Sequence, residues 1–231
     1  MKRILLAAIA AFALSGCDQL RVESIPTGEV VACDGKLTGW WQSVPQANEE
    51  NSDSDDAVVY ISDDCADWIS FESLQEAVPK KESMLGEMKF DQRIVNGERY
   101  LAITELPKQD DASSKPSEGI TLLRYRRDGD RLTFYTGHTR REAHRIADAL
   151  VSGRVETKSR NDCRAEDKAP CRSALDVLIL GDGNDIANWL TRFEPLDEPL
   201  VHLVRADKAI IDRLSPLLID TPTDGKPKPH E

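Results

Sequence analysis

Apolar and polar positions alternate along most of the middle of this 231-residue chain. The segments "KLTGWWQSV" (36–44), "AVVYIS" (57–62) and "DWISFESL" (67–74) read as extended runs rich in β-branched and aromatic residues. The last two flank the tight link "DDCA", which predicts a hairpin with Cys65 near its turn. "KFDQRIV" and "ERYLAIT" flank Asn96-Gly97, and "ITLLRYRR" and "DRLTFYT" flank Asp128-Gly129. Such dipeptides favour type I′ turns, which need positive φ at both central residues, so two further hairpins are expected. After residue 138 the period changes. Ala143, Ile146, Ala147 and Leu150 recur at helical intervals, Thr139 and Glu142 match a capping box, and Gly153 is placed to end the helix in a left-handed turn. Ile186, Trp189, Leu190 and Phe193 define a second apolar helix face, with Asp182 or Asn184 as its cap. "ALDVLIL" (174–180) and "LVHLVRA" (200–206) read as buried strands, and a short helix is expected from Lys208 to Leu214. Nine or ten strands on short connections, with helices late in the chain, predict an α+β fold: a mainly antiparallel sheet, curled or partly closed into a barrel.

The first apolar run is different in kind. Lys2 and Arg3 precede eleven apolar residues, Ile4 to Leu14, too few for the ~20 that a membrane-spanning helix needs. A charged start, a short apolar core and small residues after it describe a secretory signal. The tetrapeptide Leu14-Ser15-Gly16-Cys17 resembles the lipobox of bacterial lipoproteins. That resemblance implies cleavage before Cys17 and attachment of a diacylglycerol to its thiol, with a further acyl chain usually on the new N-terminus. Two or more chains make a lasting anchor, whereas one binds only reversibly. The implied location is the cell envelope, lipid-anchored and facing the periplasm. In enterobacterial lipoproteins Asp18, directly after the cysteine, would point to the inner membrane. The division expected is a signal peptide at 1–16, a lipidated N-terminus and tether at 17–36, one globular domain at 37–220 and a disordered tail at 221–231, where "TPTDGKPKPHE" has too little apolar surface to fold.

Charge narrows the partners. The chain carries a formal −11, and loss of Lys2 and Arg3 leaves −13, so nucleic acid is not an expected partner. Against that background, residues 124 to 145 carry seven arginines opposed only by Asp128, Asp130 and Glu142, a local +4. Arg124, Arg126, Arg127, Arg140, Arg141 and Arg145 are therefore candidate contacts for an anionic protein or glycan, because the guanidinium fork suits carboxylates and phosphates. The bland alternative is pairing with acidic groups of the same chain. A helix packed beside the Asp128-Gly129 hairpin would merge these charges into one positive face.

Four cysteines remain beyond Cys17, and an even number in an exported chain points to disulfides. Of three possible connectivities, Cys33–Cys65 and Cys163–Cys171 are expected; zinc is disfavoured by the lack of any Cys-x-x-Cys pair or nearby histidine. Gly39-Trp40-Trp41, on the first expected strand of the domain, resembles the Gly-x-Trp of lipocalins and related calycin barrels. There the tryptophan plugs one barrel end, and the matching residues are Gly39 and Trp41. His138, His144 and His202 lack metal-ligand spacing, and "DSDD" at 53–56 lacks the glycine and distal glutamate of a calcium loop. No nucleophile elbow or metalloprotease motif is present, so no cofactor, metal or catalytic residue is assigned. The reading is a membrane-anchored envelope lipoprotein acting as a non-catalytic module that binds another macromolecule, as an inhibitor, immunity-type protein or assembly accessory. The alternatives are a calycin-like carrier of a small apolar ligand and an envelope enzyme without a readable motif.

Overall fold

A computed structural model describes residues 18–44, 57–65, 67–72, 74, 80–83, 88–106, 118–158 and 174–219. Among these, thirteen strands and three helices form one sheet with helical covers. The strands are β1 (Gln19–Val22), β2 (Glu29–Val31), β3 (Gly39–Ser43), β4 (Val58–Ile61), β5 (Trp68–Glu72), β6 (Lys80–Ser83), β7 (Met88–Val95), β8 (Glu98–Glu105), β9 (Ile120–Asp128), β10 (Arg131–Thr136), β11 (Gly153–Lys158), β12 (Ala174–Ile179) and β13 (Glu198–Arg205). The helices are α1 (Thr139–Ala147), α2 (Gly183–Phe193) and α3 (Lys208–Ile219). The fold is α+β, a mainly antiparallel sheet curled into a half-barrel, with its helices in the C-terminal half.

The curl follows from pairing. Strands β3 to β6 and β7 to β10 form two meanders, and β13 bridges them by pairing antiparallel with both β10 and β3. β9 is the branch point. One edge pairs with β8, while the other pairs first with β1 and then with β10. β1 leads the sheet outward to β12, its parallel partner, and on to β11.

Period-2 alternation assigns each side chain to a layer. Leu101, Ile103, Leu123, Tyr125, Leu132, Phe134 and Leu203 point into the curl and pack with Trp41, Ile61 and Trp68. Their neighbours Tyr100, Ala102 and Leu122 point outward, where Ile186, Trp189 and Leu190 of α2 cover them, with Ala143 and Ile146 of α1 packed against the same cluster. α3 covers another part of the outer surface, through Leu214 on Val58, Ile69 and Phe71. β8 is thus buried on both faces.

Local details depart from the expectations in instructive ways. Asn96 and Gly97 both have positive φ, as a type I′ turn requires. In the second hairpin Asp128 pairs with Arg131, so Gly129 and Asp130 are the central residues, and of the two only Gly129 has positive φ, as in a type II′ turn. Thr139 does not cap α1. His138 is the N-cap and makes no side-chain cap bond; Thr139 is the first helical residue. The left-handed residue after α1 is Ala149, at φ 54°, rather than Gly153, which begins β11. Ala147 is exposed and Leu150 is 49% exposed, so the apolar face of α1 is only Ala143 and Ile146. α2 behaves as expected, with Asp182 and Asp185 forming its capping box.

Residues 18–36 were expected to be a tether, yet β1 lies inside the sheet between β12 and β9, and β2 pairs with β7. Arg21 and Asp176, both nearly buried, form an ion pair between β1 and β12. Cys17, Cys163, Cys171, the acidic loop at 48–56 and the tail at 221–231 lie outside the described residues.

Candidate functional site

Two regions of the half-barrel gather polar side chains. The first is the mouth beside the Asp128–Arg131 turn, which segment 32–38 crosses. The Cys33–Cys65 disulfide ties this segment down, as expected from the sequence. Asp34 accepts from Arg99 Nε at 2.7 Å and from the Tyr125 hydroxyl at 3.0 Å, and its backbone N–H donates to Gln92 Oε1 at 2.7 Å. Burial, and then the Asp34 charge, push the Tyr125 phenol well above its ordinary range. Leu37 inserts into the interior core with no exposed surface, and its carbonyl accepts from Trp41 Nε1 at 2.6 Å.

Two arginines close the mouth over Trp41. The Arg205 guanidinium carbon lies 3.9 Å from the Trp41 ring centroid, and Nη1 donates to the Thr38 carbonyl at 2.7 Å. Arg127 lies 5.6 Å from the same ring and donates through Nε to the Gly129 carbonyl at 2.8 Å. Burial, reinforced by the neighbouring Arg127 charge, lowers the Arg205 pKa. Gly39 sits at φ 104°, and the space a Cβ would take there is occupied by Arg205 Nη1. The left-handed conformation favours glycine, and a side chain there would also displace the Arg205 guanidinium. Gly39 and Trp41 therefore lie beneath these two arginines, which plug this mouth of the half-barrel. Beyond the plug, Tyr125, Phe134, Leu101 and Leu132 are each 2% exposed or less and fill the interior.

The second region lies on the outer surface of β9, β10 and β13. Register aligns outward side chains in rows across these strands: Asp128, Arg131 and Val204; Arg126, Thr133 and His202; Tyr100, Arg124 and Tyr135. Neighbouring strands are about 4.8 Å apart, so each row spans roughly 10 Å. Thr133, Tyr135, His202 and Val204 belong neither to the cluster under α1 and α2 nor to the one under α3. The strip runs between the two helical covers. Thr133 Oγ1 and His202 Nδ1 are 3.0 Å apart. Arg124 stacks on Tyr135, 4.6 Å from its centroid, and its enclosed Nε has no hydrogen-bond partner among the described residues. Tyr100, across from Arg124, has its phenol pushed up to about 12, mainly by burial and against the pull of that arginine. Arg126 and Arg131 are exposed and form no ion pair with any described residue.

The remaining candidates lie elsewhere. α1 packs on β11 and β12, away from the β9–β10 hairpin, so its arginines do not merge with those of the strip. Arg141 is committed to Asp197 by bonds of 2.6 and 3.0 Å and to the Pro195 carbonyl at 2.7 Å. This bond holds the Asp197 carboxyl below the ordinary carboxylate range. Arg145 donates to Glu142 Oε1 at 2.6 Å and stacks on Phe193 at 4.6 Å. The second oxygen of Glu142, which has no exposed surface, accepts from Trp189 Nε1 at 3.0 Å. Arg140 is the exposed one, 3.6 Å from Asp18. The six candidates thus divide into a plug (Arg127), an internal carboxylate cluster (Arg141, Arg145), a corner beside Asp18 (Arg140) and the strip (Arg124, Arg126), which Arg131 joins.

Sequence inspection missed Arg205 and Glu142. Arg205 shares the inward parity of Val201 and Leu203, and Glu142 sits one turn before Ile146; a charge at core parity was the available signal in both. Among the described residues no group of three or more His, Cys, Asp or Glu could hold a metal, and no helix is long and apolar enough to cross a membrane. Comparisons of the chain with protein-family models, with curated proteins and with solved structures find no match.

Proposed function

We propose that this chain is a lipid-anchored lipoprotein of the bacterial envelope, and that it is a non-catalytic module holding an anionic macromolecule on the β9–β10–β13 strip. The observation that carries this reading is the set of arginines left with unmade bonds on that surface. Arg126 and Arg131 have no acidic partner among the described residues, and Arg124 has an enclosed, unsatisfied Nε. Elsewhere in the molecule the guanidiniums of Arg21, Arg99, Arg141 and Arg145 face carboxylates. A carboxylate or phosphate arriving at the strip would meet the exposed forks of Arg126 and Arg131, with the half-buried Arg124, Tyr135 and His202 beside them. The chain without Lys2 and Arg3 carries a net −13 even with these arginines counted, so its other surfaces repel the same partner and orient its approach.

The lipobox supports the anchor, and the Cys33–Cys65 bridge suits an oxidising compartment. The carrier reading is disfavoured by an interior filled with its own aromatic and aliphatic side chains. Two measurements on cells test the proposal. Cys17→Ser should move the protein from the membrane pellet to the soluble fraction. A photo-crosslinking residue at position 126 or 131 should capture a partner that the same residue at position 212, on the exposed side of α3, does not. Equal capture from both faces, or membrane retention of the serine variant, contradicts it.

A further inference from the structure

The chain joins its fold one residue after the proposed anchor. Asp18 Oδ1 accepts from the Leu175 backbone N–H at 2.9 Å, and Oδ2 lies 3.6 Å from Arg140 Nε. Gln19 already pairs with Asp176 in the parallel β1–β12 ladder, and Leu20 packs so closely on Gly137 that a Cβ there would meet its Cδ2 at 2.4 Å. Consecutive Cα atoms are about 3.8 Å apart, so chain connectivity allows the proposed anchor only one such step from Asp18, a residue bound from two sides. β1 cannot pay out as slack, because it is hydrogen-bonded to β12 on one edge and β9 on the other.

We infer that the lipidated domain has no tether and rests directly on the bilayer, with the corner formed by Asp18, Arg140, His138 and Glu198 against the headgroups. This inference rests on the anchor reading above and gives that reading an orientation. His138 and Glu198 lie 3.0 Å apart beside the first turn of α1, so the charges of the corner are paired with one another, and the exposed Arg140 guanidinium can also reach a headgroup phosphate. β10 leads away from the corner. Its six residues from Thr136 to Arg131 span about 20 Å. A domain of this size is roughly 40 Å across. The strip is therefore held within that distance of the lipid, and the partner class narrows to one that presents its anionic group at the membrane surface.

The test uses the full lipidated chain in vesicles containing lipids that carry a quencher at headgroup depth. A fluorescent amino acid is placed at position 140 or, as the distal control, at position 130. Quenching at 140 should exceed that at 130 by several-fold. Insertion of a twenty-residue Gly/Ser segment between Cys17 and Asp18, with a root-mean-square reach of about 25 Å, should abolish the difference while the protein still floats with the vesicles. An acyl mass on the mature N-terminus with equal, weak quenching at both positions overturns the flush orientation alone. Absence of that acyl mass overturns the anchor reading, and the inference with it.

Discussion

Glu142 is an acidic residue with no exposed surface. Its position in a capping-box pattern suggests a surface role at a helix start, but Thr139 lies inside the helix, so the carboxylate turns inward and accepts from Arg141, Arg145 and Trp189. Removing one partner from a buried ion pair leaves the others uncompensated, at about 3–5 kcal/mol. The side chains of Arg141 and Arg145 are 33% and 20% exposed and can recover some hydration. Glu142→Ala should therefore lower unfolding stability by about 2–3 kcal/mol in urea titrations, a discount on the fully buried case. It should also change the emission of Trp189. A loss below about 0.5 kcal/mol, the size of ordinary surface substitutions, would mean that the cluster is solvated. The same cluster explains why counting charges in the sequence overstated the positive face: two of its seven arginines are spent on internal carboxylates.

Strands with a conspicuous run of apolar residues were legible, and short or polar strands were not. All nine runs chosen by alternation or apolar density became strands, because their side chains pack in clusters. The four that escaped were β1, β2, β6 and β11, with sequences QLRV, EVV, KKES and GRVETK. They are short or polar; β6 and β11 end the main strand path, and β2 pairs only with β7. Their pairing is decided by the neighbouring strand, which single-sequence periodicity does not record. Segment 32–38 was likewise unreadable as structure, since its order comes from Asp34, Leu37 and the disulfide. Closure of a loop across a separation of 32 residues is worth roughly 3–4 kcal/mol. A Cys33→Ser, Cys65→Ser double variant should lose about that much and shift the urea midpoint accordingly. A shift under about 1 kcal/mol would show that the Asp34 contacts alone hold the mouth closed, each hydrogen bond contributing on that order.

Considered as a whole, the molecule is acidic; among the described residues Arg126 and Arg131 are exposed without an ion pair on one strip between two helical covers, and the chain enters the sheet at Gln19, two residues after Cys17. The half-barrel was predictable from the hairpins, whereas the separation of the arginines into plug, internal cluster, corner and strip depends on where α1 packs. That choice is set by tertiary contacts with β11 and β12.

The central claim is that the strip holds an anionic partner. Exposed charge pairs are worth about 0.2–1 kcal/mol each, so a single substitution is too weak a probe. The direct measurement is capture of envelope components by the full chain carrying Arg124→Glu, Arg126→Glu and Arg131→Glu together, with folding checked by circular dichroism, at low and moderate salt. The account predicts that wild type captures its partner strongly at low salt and less at moderate salt, and that the triple variant loses capture at both, while Arg140→Glu, Arg141→Glu and Arg145→Glu together affect capture less wherever that variant still folds. A folded strip variant that captures the same partner as wild type at both salts would contradict the account.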